Sequence, residues 1–224
     1  MSVGSSGIAR APQQERSRRV VRRLLDAAEV AFAEEGYDRA SVRSIAASAG
    51  VPKGSVYQFF TSKEGLLDAV EADLTRELGQ AFEGLATAHQ ELLDGNGSLQ
   101  TMVGHVIGEI LELAARRPVF ATLFSGQAAA GPLAAAGARM RDACQSQIEA
   151  VMQGAEPPPT IGVTQVATVC TEIIRGLLPR IVDADGTVDP VLGPELSFAV
   201  AAYLASVRDR SPAPNPGQRP TRRD

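Results

Sequence analysis

Between residues 41 and 63 a small set of side chains stands at spacings suited to gripping a polyanion: Arg43, Lys53, Gly54, Ser55, Tyr57, Gln58 and Lys63. Ser and Gln can hydrogen-bond base edges, Lys, Arg and Tyr can reach phosphate oxygens, and a glycine lets a helix end approach a duplex closely. That is recognition chemistry rather than bond-breaking chemistry. The sequence holds no HExxH, no GxSxG, no Gly-rich phosphate loop and no acids at a paired catalytic spacing, so an enzyme is not expected. Cys144 and Cys170 form no CxxC pair, and His89 and His105 complete a poor inventory of ligands. Neither a metal site nor a cofactor is expected.

The charge is distributed to match. Residues 1–63 carry ten Lys/Arg against six Asp/Glu, a balance of +4, and residues 64–224 carry twelve against twenty, or −8, which together give the net −4. Polyanion contact therefore belongs to the front of the chain. Five cations, Arg16, Arg18, Arg19, Arg22 and Arg23, crowd the beginning of what reads as the first helix. There they oppose the helix dipole at a cost of about 0.3 to 1 kcal/mol each, which an anionic partner would offset. With 44% hydrophobic and 21% charged residues, no apolar run of membrane-spanning length and no signal-peptide centre, the chain is expected to be globular and cytoplasmic, without a membrane partner.

The elements that would position these residues read as all-α. Apolar spacings of 3 and 4 recur through the middle of the chain, with no convincing alternating run. A first helix is expected from about Ser17 to Glu35, with Val21, Leu24, Leu25, Ala28, Ala31 and Phe32 on one stripe and Gly36 as its stop. Ser41 caps a helix of about two turns whose inner face holds Val42, Ile45, Ala46 and Ala49. Gly50 ends it, and Pro52 opens another. A small residue at the crossing (Ala46), a permissive one at the turn (Gly50), and Val51, Val56 and Phe59 pointing inwards give the spacing of a helix-turn-helix. Further on, helices are expected from Ser62 towards Leu93, from Ser98 to before Pro118, and from Pro132 to the prolines at 157–159. Two more follow, along Val163–Ile181 with Pro179 as an end or kink, and along Leu196–Val207. A short apolar piece ends at Ser125-Gly126, and Asp94-Gly95-Asn96-Gly97 reads as a turn.

The stretch RLLDAAEVAFAEEGYDRASVRSIAASAGVPKGSVYQFFTSKEGLL resembles the N-terminal domain of TetR/AcrR-type bacterial transcriptional regulators. Gly36-Tyr37, Ile45-Ala46, Ala49-Gly50-Val51, Gly54, Tyr57, Phe60 and Lys63-Glu64 with Leu66 fall in register over about residues 17 to 67. The resemblance implies about nine helices: a three-helix DNA-binding domain over 15–65, its helix-turn-helix at 41–60, and a helical ligand-binding and dimerisation domain over 66–208. Residues 1–14 and 209–224, lacking periodicity or rich in proline, are expected to be disordered. In relatives the positions matching Arg43, Lys53, Gly54, Ser55, Tyr57, Gln58 and Lys63 lie at or near DNA, those matching Tyr57 and Lys63 on phosphate. Pro52 stands where Ser is frequent, so side-chain capping is lost there.

The implied partners are a near-palindromic double-stranded operator, a second copy joined through the last two helices, and an unidentified small-molecule effector. Two recognition helices about 34 to 36 Å apart would span one DNA turn. Repression with release by ligand is the default reading; an activator of the same fold or a helical interaction module is the alternative. Met102, Val106, Phe120, Phe124, Met140, Cys144 and Ile173 could line a pocket for a hydrophobic molecule, although each reads more readily as plain core, because stripes at helical spacing need no ligand to explain them. His105, Glu172 and Arg175 fall off their apolar stripes and are expected at the surface or a subunit contact.

Overall fold

The computed structural model describes residues 10–83, 98–126, 130–153 and 161–209. Among these, nine helices follow in order: α1 (Arg10–Glu34), α2 (Val42–Ser48), α3 (Lys53–Val56), α4 (Lys63–Glu83), α5 (Leu99–Arg116), α6 (Pro118–Ser125), α7 (Pro132–Gln153), α8 (Val163–Ile181) and α9 (Leu192–Asp209). The expected turn at Asp94–Gly97, the stop at residues 157–159, and the ends before residue 10 and after residue 209 lie outside the described residues.

α1 begins seven residues earlier than Ser17. Pro12 does not prevent this, because the first turn of a helix leaves its N–H groups unbonded anyway. Gly36 takes φ +78° just past the end of α1, as its place in the sequence requires. Leu24, Ala28, Ala31 and Phe32 of α1 are buried against α2 and α4. Ser98 caps α5, its Oγ accepting from Thr101 N at 3.0 Å, and Pro118 separates α5 from α6. Pro179 ends nothing: α8 runs on through it to Ile181.

α4 leads from the N-terminal helices into the rest, packing on α5 and α7. α6 packs on α1 at one side and on α7 and α8 at the other, while α9 lies against α5 and α8. One departure concerns the stripes on α8 and α9 expected to meet a second subunit. Val166, Cys170, Ile174, Leu178 and Ile181, with Leu196, Val200 and Val207, are buried within the chain. The neighbouring helices of the same chain already cover these, while Ile173, Leu177, Tyr203 and Leu204 on the same stripes are half-buried and Val169, Leu192 and Phe198 on the two helices are exposed.

Candidate nucleic-acid interface

The helix-turn-helix is held by its own backbone. Ser41 Oγ accepts from Ser44 N at 3.0 Å and Ser44 Oγ accepts from Ser41 N at 3.2 Å, so two otherwise unbonded N–H groups at the start of α2 are satisfied reciprocally. Ile45 and Ala46 face inwards, and Gly50, at φ +64°, reverses the chain so that Val51 N donates to Ala46 O at 3.0 Å. Pro52 opens α3 without a side-chain cap, as its type dictates. α3 is one turn long and closes with Gln58 N donating to Ser55 O and Phe60 N to Val56 O, at 3.3 and 2.9 Å.

That closing turn corrects the expectation for Phe59. Phe60 stands four residues after Val56 and packs half-buried against the core, whereas Phe59 falls one step round the turn and is 36% exposed. Spacing of four, not three, carries the inner face here. The outer face holds what the sequence proposed for it: Arg43, Lys53, Gly54, Tyr57 and Gln58 are exposed and Ser55 is half-buried. Lys63 is placed differently. Its Nζ donates to Tyr37 O at 2.7 Å and Ala40 O at 3.1 Å and lies 4.1 Å from the Tyr37 ring centroid, so it fastens the α1–α2 connection to the start of α4. The Tyr37 ring in turn stacks on Phe32, with centroids 5.7 Å apart.

Behind this surface lies an ionic cluster that sequence reasoning missed. Arg117, buried between α5 and α6, donates through Nε to Glu29 Oε2 at 2.7 Å and through Nη2 to Glu29 Oε1 and, at 2.9 Å, to Asp73 Oδ2. Its Nη1 donates to Glu77 Oε1. Glu29 belongs to α1, and Asp73 and Glu77 to α4. Burial raises the Glu29 carboxyl more than Arg117 lowers it. Burial also opposes ionisation of Asp73, but the bonds from Arg76 and Arg117 and the charge of Arg22 win and hold its carboxyl below the usual range. The sequence signal was faint: an acid among Ala27, Ala28, Ala31 and Phe32, and an arginine before a proline.

The candidate pocket residues belong to one continuous core. Phe120, Phe124, Met140 and Cys144 are fully buried, Val106 is buried, and Met102 and Ile173 are half-buried against them. Phe120 and Phe124 stack at 5.4 Å. A cleft of about 320 Å³ lies elsewhere, between α4 and α5, with a polar lining that includes Arg76, Glu77, Glu109 and Arg116. His105 and Glu172 are exposed and Arg175 is half-buried, paired with Glu172 at 2.6 Å. Burial pushes the thiols of Cys144 and Cys170 up to about 12, which keeps both protonated. No group of three or more His, Cys, Asp or Glu among the described residues could hold a metal ion, and no described helix is long and apolar enough to cross a membrane.

A helix-turn-helix with a buried inner face and an exposed polar outer face, carried on a helical body, is the architecture of a DNA-binding regulator. Comparison with known proteins agrees and names the family. Residues 24–70 match the family model for bacterial regulatory proteins of the tetR family, and residues 98–204 match that for the tetracyclin repressor-like C-terminal domain. The chain belongs to the TetR family of transcriptional regulators, a family without enzymatic activity. Among curated relatives, the A-factor receptor protein of Streptomyces griseus is 32% identical over 42% of this chain and 33% of its own length. The HTH-type transcriptional repressor KstR2 of Rhodococcus jostii is 34% identical over 36% of this chain and 38% of its own. The chain thus spans between a third and two-fifths of these relatives. A TetR-family regulator of Streptomyces coelicolor of known structure is 25% identical, with a TM-score of 0.53 over 84% of this chain and 99% of that one. The fold also matches that of FadR from Bacillus subtilis in complex with stearoyl-CoA, at 21% identity and a TM-score of 0.61 over 83% of this chain and 97% of that one.

Proposed function

We propose that this chain is a cytoplasmic, dimeric repressor that reads a near-palindromic DNA operator through α3 and its closing turn and is released by a hydrophobic small molecule. The observation that carries the reading is the division of the helix-turn-helix into two faces. Ile45, Ala46, Val51 and Val56 are buried, which fixes the unit, while Lys53, Gly54, Tyr57 and Gln58 stand clear of it with Ser55 and Arg43 beside them. In this reading 15–65 is the DNA-binding domain and 66–208 the ligand-binding and dimerisation domain. Lys63 acts through position as well as charge, because the carbonyls of Tyr37 and Ala40 already hold it.

Repression is supported by relatives named as repressors, and release by ligand by a relative named as a receptor and by a FadR structure that holds stearoyl-CoA. An effector of that apolar kind suits an interior of Phe120, Phe124, Met140 and Cys144, with Met102, Val106 and Ile173 at its margin. Ligand binding would favour an arrangement in which paired recognition helices no longer match two half-sites, so that DNA affinity falls by the differential binding energy. Dimerisation through α8 and α9 is supported by the large apolar side chains these helices leave exposed, Val169 on α8 and Leu192 and Phe198 on α9, Phe198 being 60% exposed.

Selection of bound duplexes from a random-sequence pool, followed by gel-shift titration over a salt series, tests this. Lys53→Ala is expected to weaken binding to every sequence and to flatten log K against log salt by about 0.9 per protomer. Tyr57→Ala is expected to weaken binding uniformly with the slope kept, since a hydroxyl displaces no counterion. Ser55→Ala and Gln58→Ala are expected to change which sequence is selected, with about 1 to 3 kcal/mol of discrimination lost at a directly read base. Recovery of no preferred sequence, or wild-type binding by all four variants, refutes the proposal.

A further inference from the structure

α1 divides its arginines into two rows. Arg18 and Arg22, four residues apart, project to one side, and Arg22 is committed to the protein, pairing with Asp26 at 2.9 Å and Asp73 at 2.8 Å. Arg16, Arg19 and Arg23, at spacings of three and four, share another side of the helix and are all exposed. Arg16 and Arg23 form no ion pair among the described residues, and Arg19 has one with Glu15, at 3.9 Å and with both side chains about three-quarters exposed. Such a pair is worth little and gives way to a stronger anion.

The place of this row decides what it faces. Arg23 Nη1 lies 3.8 Å from where a Cβ of Gly50 would stand, beside the turn that delivers the chain into α3. From there the row runs along α1 away from that turn, seven residues or about 10 Å of helix to Arg16. About 10 Å along a duplex is about three base pairs, each step carrying two phosphate charges.

We propose that Arg16, Arg19 and Arg23 form a second DNA-contact surface, gripping the phosphates that flank the bases facing α3. This rests on the reading of the helix-turn-helix given above. It accounts for a row of cations of which, among the described residues, only Arg19 has an ion-pair partner, the weak exposed pair with Glu15, and it leaves out Arg22, which is tied at the protein's surface to Asp26 and Asp73. The row carries affinity without sequence preference, because phosphates are the same in every sequence.

The test is the triple variant Arg16→Gln, Arg19→Gln, Arg23→Gln, full-length, titrated with a 40-base-pair duplex of arbitrary sequence and with a duplex recovered by selection. Because α1 starts at Arg10, these exposed side chains lie beyond its first turn and carry none of the dipole cost expected for them, so thermal unfolding is expected to stay unchanged, which is the folding control. Binding to both duplexes is expected to fall at least about tenfold at 0.1 M salt, with the salt slope flatter by about 2 to 3 per protomer and the selected sequence unaltered. Trimming three base pairs from each end of the selected duplex is expected to weaken the wild type and not the variant. An unchanged slope in the triple variant, with Lys53→Ala still flattening it, overturns the second surface and leaves the helix-turn-helix reading standing. If the wild type binds no duplex, both fall together.

Discussion

Replacing Arg117 by methionine is expected to lower the free energy of unfolding by about 3 to 5 kcal/mol, the range found when one partner of a buried ion pair is removed. The guanidinium is 7% exposed and meets carboxylates from two helices, so its loss leaves negative charge where water cannot follow. The three carboxylates do not suffer equally. Asp73 keeps Arg22 and Arg76, and Glu77 keeps Arg116 at 3.8 Å. Glu29 keeps only the charge of Arg22, without a bond to it, and no solvent, its side chain being 5% exposed. The penalty therefore concentrates on Glu29, and the double variant Arg117→Met, Glu29→Met is expected to recover most of it, as apolar replacement of both members of a buried pair does.

Acidity offers a second reading of the same site. Burial already raises the Glu29 carboxyl above its ordinary 4.5 with Arg117 in place, and removing the cation raises it further. In the Arg117→Met variant the folded state then binds the proton more tightly than the unfolded chain does. Its stability accordingly rises as pH falls through the folded-state value towards the ordinary 4.5, and the deficit against wild type is expected to be smaller at pH 5 than at pH 8. Urea unfolding of wild type, single and double variants at both pH values measures all of this. A deficit under about 1 kcal/mol, or one that ignores pH, would mean that Glu29 is not sealed in by these helices.

Arg117 was illegible in the sequence for a physical reason. Its partners lie 88, 44 and 40 residues away, and a charge pattern has no period that reaches across such separations. What was legible depended on neighbours along one helix. The turn at Gly50, the cap at Ser41 and the inner face of α2 are local, and the structure reproduces them, as it does the break between α5 and α6 at Pro118. Phe59 was misplaced because one step along a single-turn helix separates inside from outside, and only packing decides which of two adjacent aromatics goes in. The stripes of α8 and α9 were found correctly as apolar faces. Whether a face is covered by its own chain or by a second copy is a property of topology, and periodicity is blind to it. The seven proposed contact positions were read by type and by family resemblance; all seven are exposed or half-buried, and what the sequence did not show is that Lys63 is bonded to the carbonyls of Tyr37 and Ala40.

Gly137→Ala tests the other end of the short helix that Arg117 begins. Judged by helix propensity alone, the change inside α7 should stabilise by up to about 1 kcal/mol. Sterics reverse the sign. A Cβ there would stand 2.2 Å from Leu123 O and 3.1 Å from Leu123 C, backbone atoms in the last turn of α6 that cannot step aside, and 3.0 Å from Arg141 Nη1. That same nitrogen donates to Leu123 O at 3.0 Å and to Phe124 O at 3.3 Å, while Arg175 Nη1 donates to Ser125 O at 3.3 Å, so two arginines satisfy the carbonyls that α6 leaves open before the left-handed Gly126. Forcing α6 and α7 apart strains the packing and loosens these bonds together, and a net loss of about 1 to 3 kcal/mol or more is expected. Gly79→Ala in α4 is the matched control, because nothing lies within 4 Å of its Cβ position and a gain of up to about 1 kcal/mol is expected there. Opposite signs for two Gly→Ala changes, read by denaturant unfolding, would establish the close α6–α7 crossing; equal signs would dismiss it. α6 thus has its head in the carboxylates of α1 and α4 and its foot held by α7 and α8, so it ties the C-terminal helices to those that carry the helix-turn-helix and, under the proposed function, offers a route between effector and DNA. Under that wiring Arg117→Met and Gly137→Ala, each measured at a temperature where the variant is folded, should both weaken the response of DNA binding to an apolar effector while leaving the selected sequence the same.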